Sequence, residues 1–169
     1  MESAPPVAPP PPPPVPSFTP QISIPVNESG LNNDPSKIAK AAIEARETGI
    51  LNLSNCGLRK FPIGVIKLAG PEVKRINLSG NQLESLPTDF KKYSKLEHLN
   101  LERNLFSRFA VAMVELPDLK VINLSNNCFE ELSAEHLDRF SGNAIVDLRI
   151  NNLTAEAQDL ASNYSFIQF

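Results

Sequence analysis

Two cysteines and two histidines are all that 169 residues contain of the commonest metal-binding and redox side chains. Cys56 and Cys128 cannot build a disulfide framework, and with His98 and His136 they show no zinc spacing. A chain that makes no use of disulfides suits a reducing compartment, the cytosol or nucleus. Glycine is also scarce, at seven residues, and none of them forms a phosphate-cradling loop. Nothing else in the sequence points to a cofactor. No apolar run approaches the roughly 18 residues of a membrane-spanning helix. No Lys or Arg precedes Lys37, so the chain does not open with the basic stretch of a secretory signal. From residue 35 onward acids and bases cancel, which leaves no basic footprint for a nucleic-acid backbone.

What is abundant is proline, 16 in all, and it is concentrated at one end. Pro9–Pro14 is an unbroken run, flanked by Pro5, Pro6 and Pro16. Such a run favours the polyproline II helix and cannot join a packed core. Residues 1–34 therefore read as a disordered proline-rich tail, and residues 35–169 as one folded domain. The run Pro9, Pro10, Pro11, Pro12, Pro13, Pro14 is a candidate ligand for an aromatic groove. A Src-homology domain would want a flanking base, and an Enabled-type domain an aromatic residue or Leu where Ala8 stands. Profilin or a WW-type domain fits better; a stiff spacer with no ligand is the plainer reading.

The folded part repeats itself. ILNLSNCGLRKFP from Ile50, RINLSGNQLESLP from Arg75, HLNLERNLFSRFA from His98 and VINLSNNCFEELS from Val121 align without gaps, and IVDLRINNL from Ile145 follows the same rule. Anchoring each on its Asn or Cys gives Cys56, Asn81, Asn104, Asn127 and Asn151, at intervals of 25, 23, 23 and 24. This is the pattern L-x-x-L-x-L-x-x-N/C-x-L of the leucine-rich repeat. It predicts an α/β solenoid of about five units. Short strands are expected at Leu51–Leu53, Ile76–Leu78, Leu99–Leu101, Ile122–Leu124 and Val146–Leu148, with both ends turned inward. Leu58, Leu83, Phe106, Phe129 and Leu153 supply a second apolar layer, and Phe61, Leu86, Phe109 and Leu132 a third. No unit can bury these side chains alone; stacking buries them continuously. The anchor amide both donates and accepts, so it can satisfy backbone groups where the chain turns away from the strand. Cys56 would serve as a small buried hydrophobe in that place, and both cysteines are expected to be buried and inert.

The ends of such a stack need covering. Asp34-Pro35 is a helix start, an acid at the N-cap followed by proline, and Gly49 is a natural stop. Residues 35–48 are expected to form a capping helix buried along Ile38, Ala41, Ala42 and Ala45. At the other end a short helix is expected over Thr154–Ser162. Phe166 and Phe169 should then lie over the last unit's core, the alternative being that the terminal residues serve as a strand-adding PDZ ligand.

A helix followed by LNLSNCGLRKFPIGV, repeated units, and a closing DLRINNLTAEA resembles small intracellular leucine-rich repeat proteins over roughly residues 36–160. The resemblance implies a solenoid used for protein binding and carries no catalytic residue with it. An adaptor is the expected function, with a regulatory subunit that masks or positions an enzyme partner as the alternative. His98 has Arg75 and Val121 as its column neighbours and no aligned nucleophile, which argues against an enzyme.

Within the strands the side chains between leucines should face solvent, in the column Asn52, Asn77, Asn100, Asn123 and Asp147 and in its neighbours. Charge concentrates on the middle units at Lys74, Arg75, Glu97, His98, Glu102, Arg103 and Lys120. With Asn100 these form the candidate protein-binding patch. The plainer reading is a solvated face.

Overall fold

Twelve short elements are described by a computed structural model that covers residues 34–140 and 144–169. The proline run Pro9–Pro14 lies outside the described residues. Helix α1 spans Pro35–Thr48 and is bounded by sequence-local chemistry at both ends. The Asp34 carboxylate accepts from the Ser36 amide at 2.9 Å, and Gly49, at φ 71°, closes the last turn with a bond to the Ala45 carbonyl. Ala42 and Ala45 are buried, and the helix packs on α2 (Gly64–Ala69) and β1 (Ile50–Asn52). Thr48 Oγ1 takes the Ile50 amide at 3.2 Å, so a side chain replaces the strand that β1 lacks on that edge.

The sheet is parallel throughout and follows chain order: β1, β2 (Arg75–Asn77), β3 (His98–Asn100), β4 (Val121–Asn123), β5 (Ile145–Asp147) and β6 (Ile167–Gln168). Equivalent residues pair without slippage, Leu51 with Ile76, Leu99 with Ile122 and so on. The strands begin and end one residue earlier than the apolar pattern suggests. The reason is clearest just ahead of β1, β2 and β3, where one carbonyl takes two amides of the next unit. Gly49 O accepts from Lys74 and Arg75, Lys74 O from Glu97 and His98, and Glu97 O from Lys120 and Val121.

The sheet has six strands, one more than the five units anticipated. The last lies in the segment expected as a lid, or else as a strand added to a PDZ domain: Ile167 instead pairs with Val146 of this chain and is buried in the core. Phe166 is half-buried against the core, but Phe169 is 48% exposed and does not cover it as expected. Parallel pairing with β5, rather than aromatic packing, occupies this edge.

Between strands the chain crosses the far side of the stack through α2, a 3-10 turn at Thr88–Lys92, α3 (Val111–Val114), α4 (Ala134–Arg139) and α5 (Ala155–Ser162). Thr154 caps α5 through its hydroxyl, which accepts from the Ala157 amide. The core is continuous from Ala42 to Ile167. Aromatic rings fill its broad side in two groups. In one, Phe90 packs edge-on against Phe61 and Tyr93; in the other, Phe109 packs against Phe129 and Phe140. His136 lies against Phe109 in a packing role.

One backbone feature recurs. The residue before each anchor is left-handed: Asn55 at φ 53°, Gly80 at 67°, Arg103 at 55°, Asn126 at 57° and Ile150 at 58°. Glycine and asparagine suit that conformation; arginine and a β-branched isoleucine do not. At Gly80 an added Cβ would also lie 2.1 Å from Asn55 Oδ1.

Candidate protein-binding surface

Each anchor asparagine reaches back to the preceding unit. Asn81 Oδ1 accepts from the Cys56 and Leu58 amides, both at 3.0 Å, while its Nδ2 donates to the Leu53 and Leu78 carbonyls. Asn104 repeats the arrangement with Leu83 N, Leu78 O and Leu101 O, and Asn127 with Phe106 N, Leu101 O and Leu124 O. Asn151 does the same for Phe129 N, Leu124 O and Leu148 O. Four units thus hold their neighbours through one side-chain type, the polar exception foreseen in the repeat. At Cys56 burial raises the thiol pKa, against the lowering influence of Lys37, and Sγ lies 3.5 Å from the Ser54 carbonyl. Cys56 is half-buried and Cys128 is exposed, so neither thiol is as buried as expected. Cys128 follows the anchor Asn127 and so falls outside the inward-facing positions.

The sheet face needs a second correction. Asn100 is only 4% exposed, and the whole column bends back onto its own chain. Asn52 Oδ1 accepts from the Ser54 amide, Asn77 from Ser79, Asn100 from Glu102, Asn123 from Ser125 and Asp147 from Arg149, at 2.9–3.1 Å. Strand alternation sends these residues away from the core, but a short amide or carboxylate oxygen can accept from its own backbone two residues on, and one does so in every unit. Asn100 is therefore withdrawn from the patch.

The remaining residues separate into two groups. On the leading edge of the sheet, Lys74, Glu97 and Lys120 hold equivalent positions, and Lys120 Nζ pairs with Glu97 Oε2 at 2.8 Å. Arg75 and His98 are register partners beside them. Burial and then the nearby Arg75 hold the His98 pKa below the ordinary histidine value. Lys120, hydrogen-bonded to Glu97, holds that carboxyl below the usual range. Glu102 and Arg103 lie on the trailing edge, about 16 Å along the strand direction, and pair with each other at 3.5 Å. Asp147 with Arg149 was not anticipated: Arg149 engages both carboxylate oxygens, at 2.6 and 3.0 Å, on the sheet face of β5. The opposite charges two positions apart on one strand were the available signal.

Among the described residues no group of three or more His, Cys, Asp or Glu could hold a metal ion, and no helix is long and apolar enough to cross a membrane. What the sheet face offers is a shallow polar relief over a rigid ladder.

Family comparisons agree with this architecture. Models of the leucine-rich repeat match residues 47–106 and 118–141, and the chain is a leucine-rich repeat-containing protein. It is homologous to human leucine-rich repeat-containing protein 20, with 33% identity over 91 residues that make up 50% of each chain. It is 34% identical over 86 residues to the mouse DISP complex protein LRCH3, covering 51% of this chain and 11% of that one. The chain thus spans between a tenth and half of these relatives. Among solved structures, a leucine-rich repeat protein of Leptospira interrogans superposes with a TM-score of 0.56 at 23% identity, over 65% of this chain and 28% of that one. That likeness speaks for the fold.

Proposed function

We propose that the protein is a non-enzymatic adaptor that docks a protein partner on the leading edge of its sheet, through Lys74, Arg75, His98 and Lys120. Leucine-rich repeat domains generally mediate protein–protein interaction. The observation that carries the reading to this edge is the register that sets Arg75 against His98, beside the Lys74–Glu97–Lys120 row. Three cations around one paired acid give a net positive strip suited to an acidic segment of the partner. Helix α1 closes one end of the stack, and the protein works in the cytosol or nucleus. Pro9–Pro14 is the second contact, for a profilin or a WW-type domain.

Reversing Lys74 and Arg75 to glutamate in the full chain is the test. The doubly reversed protein should melt within about half a kcal/mol of the parent, since both side chains are exposed. It should lose the partners that proximity labelling finds with the parent. If every partner persists, the leading edge is only a solvated face. The tail contact is tested by titrating profilin or a WW domain with a peptide of residues 1–20. Absence of saturable binding leaves the tail a spacer.

A further inference from the structure

Charge is balanced over the folded part as a whole but not along it. Residues 35–75 carry eight bases and three acids, whereas residues 110–169 carry three bases and nine acids. In a stack where each unit follows the last, sequence position is spatial position. The molecule is therefore positive towards its α1 end and negative towards its β6 end. Between them Lys91 pairs with Glu115, and Lys95 with Asp118.

The same polarity appears in two grooves on the side away from the sheet, the first largely apolar and the second of mixed lining. One, of about 430 Å³, opens between α2 and the turn at Thr88–Lys92. It is lined by Ile63, Ile66 and Pro71 and rimmed by Lys67 and Lys92; Asp89 on the same rim is paired with Lys92. Ile63 is 54% exposed there. The other groove, of about 360 Å³, lies between the segment before α4 and helix α5. Leu132, Ala157 and Leu160 line it, and Glu131 and Glu156 rim it. No ion pair between described residues engages Lys67, Glu131 or Glu156. The grooves are about three units apart, or roughly 15 Å measured at the sheet. Exposed Val111 of α3 stands between them in the stack.

We infer that these grooves meet in a second copy of the chain, packed antiparallel and back to back. A two-fold axis across the middle of the stack sets the Lys67–Lys92 rim of one copy on the Glu131–Glu156 rim of the other, and does so twice. Isologous pairing of this kind closes after two subunits, which is the commonest form of self-association. Two grooves with opposite rims are then covered by one operation, and the opposed charges fix the antiparallel sense. The sheet faces stay outward, so the dimer presents two partner-binding edges.

Sedimentation velocity on the full chain tests this. A dimer is expected in low salt that weakens as salt rises. Lys67→Glu with Lys92→Glu should weaken it about tenfold or more, and Glu131→Lys with Glu156→Lys should do the same. Mixing the two variants restores both contacts at once, so a heterodimer tighter than either homodimer is the decisive result. Melting curves check that each variant is folded; if one is not, the single changes Lys67→Glu and Glu156→Lys carry the same swap. A monomer at every concentration in low salt overturns the inference. So does a mixture no tighter than its components, or a ladder of trimers and larger forms.

Discussion

Two stripes of short polar side chains run along the stack, four residues apart in each unit, and their work differs. The first, Asn52 to Asp147, holds the turn of its own chain: every bond spans two residues. The second, Asn81 to Asn151, also ties down its own turn but adds bonds to the neighbouring unit that span 21 to 28 residues. One shapes a unit and the other joins units. A local turn can form wherever its few residues meet. A bond between units exists only in the stack, so its loss falls wholly on the folded state.

That contrast can be broken at one position in each stripe. Asn104→Ala leaves the buried Leu83 amide without its acceptor, while the Leu78 and Leu101 carbonyls keep their bonds from Asn81 and Asn127, and should cost about 2 kcal/mol in denaturant titration. Asn100→Ala removes one bond to Glu102 and should cost about 1 kcal/mol. Equal losses would show that the two stripes are not distinct. The contrast is sharpened between the stripes, at the left-handed residue. Ile150 is 76% exposed, so its side chain offers little packing to offset an unfavourable backbone. Replacing it with asparagine, as at Asn55 and Asn126, should raise stability by about 1 kcal/mol. A loss on the same unfolding assay would mean that the isoleucine is held by contacts worth more than the strain.

The smallest effect is one of pH. His98 is held below the ordinary histidine value of 6.5, so the unfolded chain binds its proton more readily than the folded one. Its contribution is complete above that value and is lost as the pH falls through the folded-state pKa. Glu97, stabilised as the anion by Lys120, adds a second loss lower down, through the carboxylate range. His98→Gln should flatten only the upper part of the decline in melting temperature. An unchanged profile would assign that part to another group.

Much of this was legible before any coordinates. The spacing of the anchors fixed the register, since Cys56 and Asn81 could be equivalent only if Leu51 and Ile76 were. Asp34-Pro35 and Gly49 marked the bounds of α1 because caps act through local bonds. The burial of Asn100 was not legible, because alternation along a strand says which way a side chain leaves the backbone and not whether it folds back. On the far side α5 was expected over Thr154–Ser162, but α2, α3 and α4 were missed for their brevity: four to six residues show no helical period. β6 was missed because two paired residues carry no alternation at all. Charge segregation stood in the sequence, but a net sum conceals it.

Between units the anchors reach only backwards, so each turn is completed by the unit that follows it. The amides of Cys56 and Leu58 wait on Asn81, and those of Leu83 and Phe106 on Asn104 and Asn127. In a chain made from its N-terminus, the partner that closes each such loop is therefore a unit made later. Synthesis and closure run in the same direction, so no completed turn has to reopen to admit its successor.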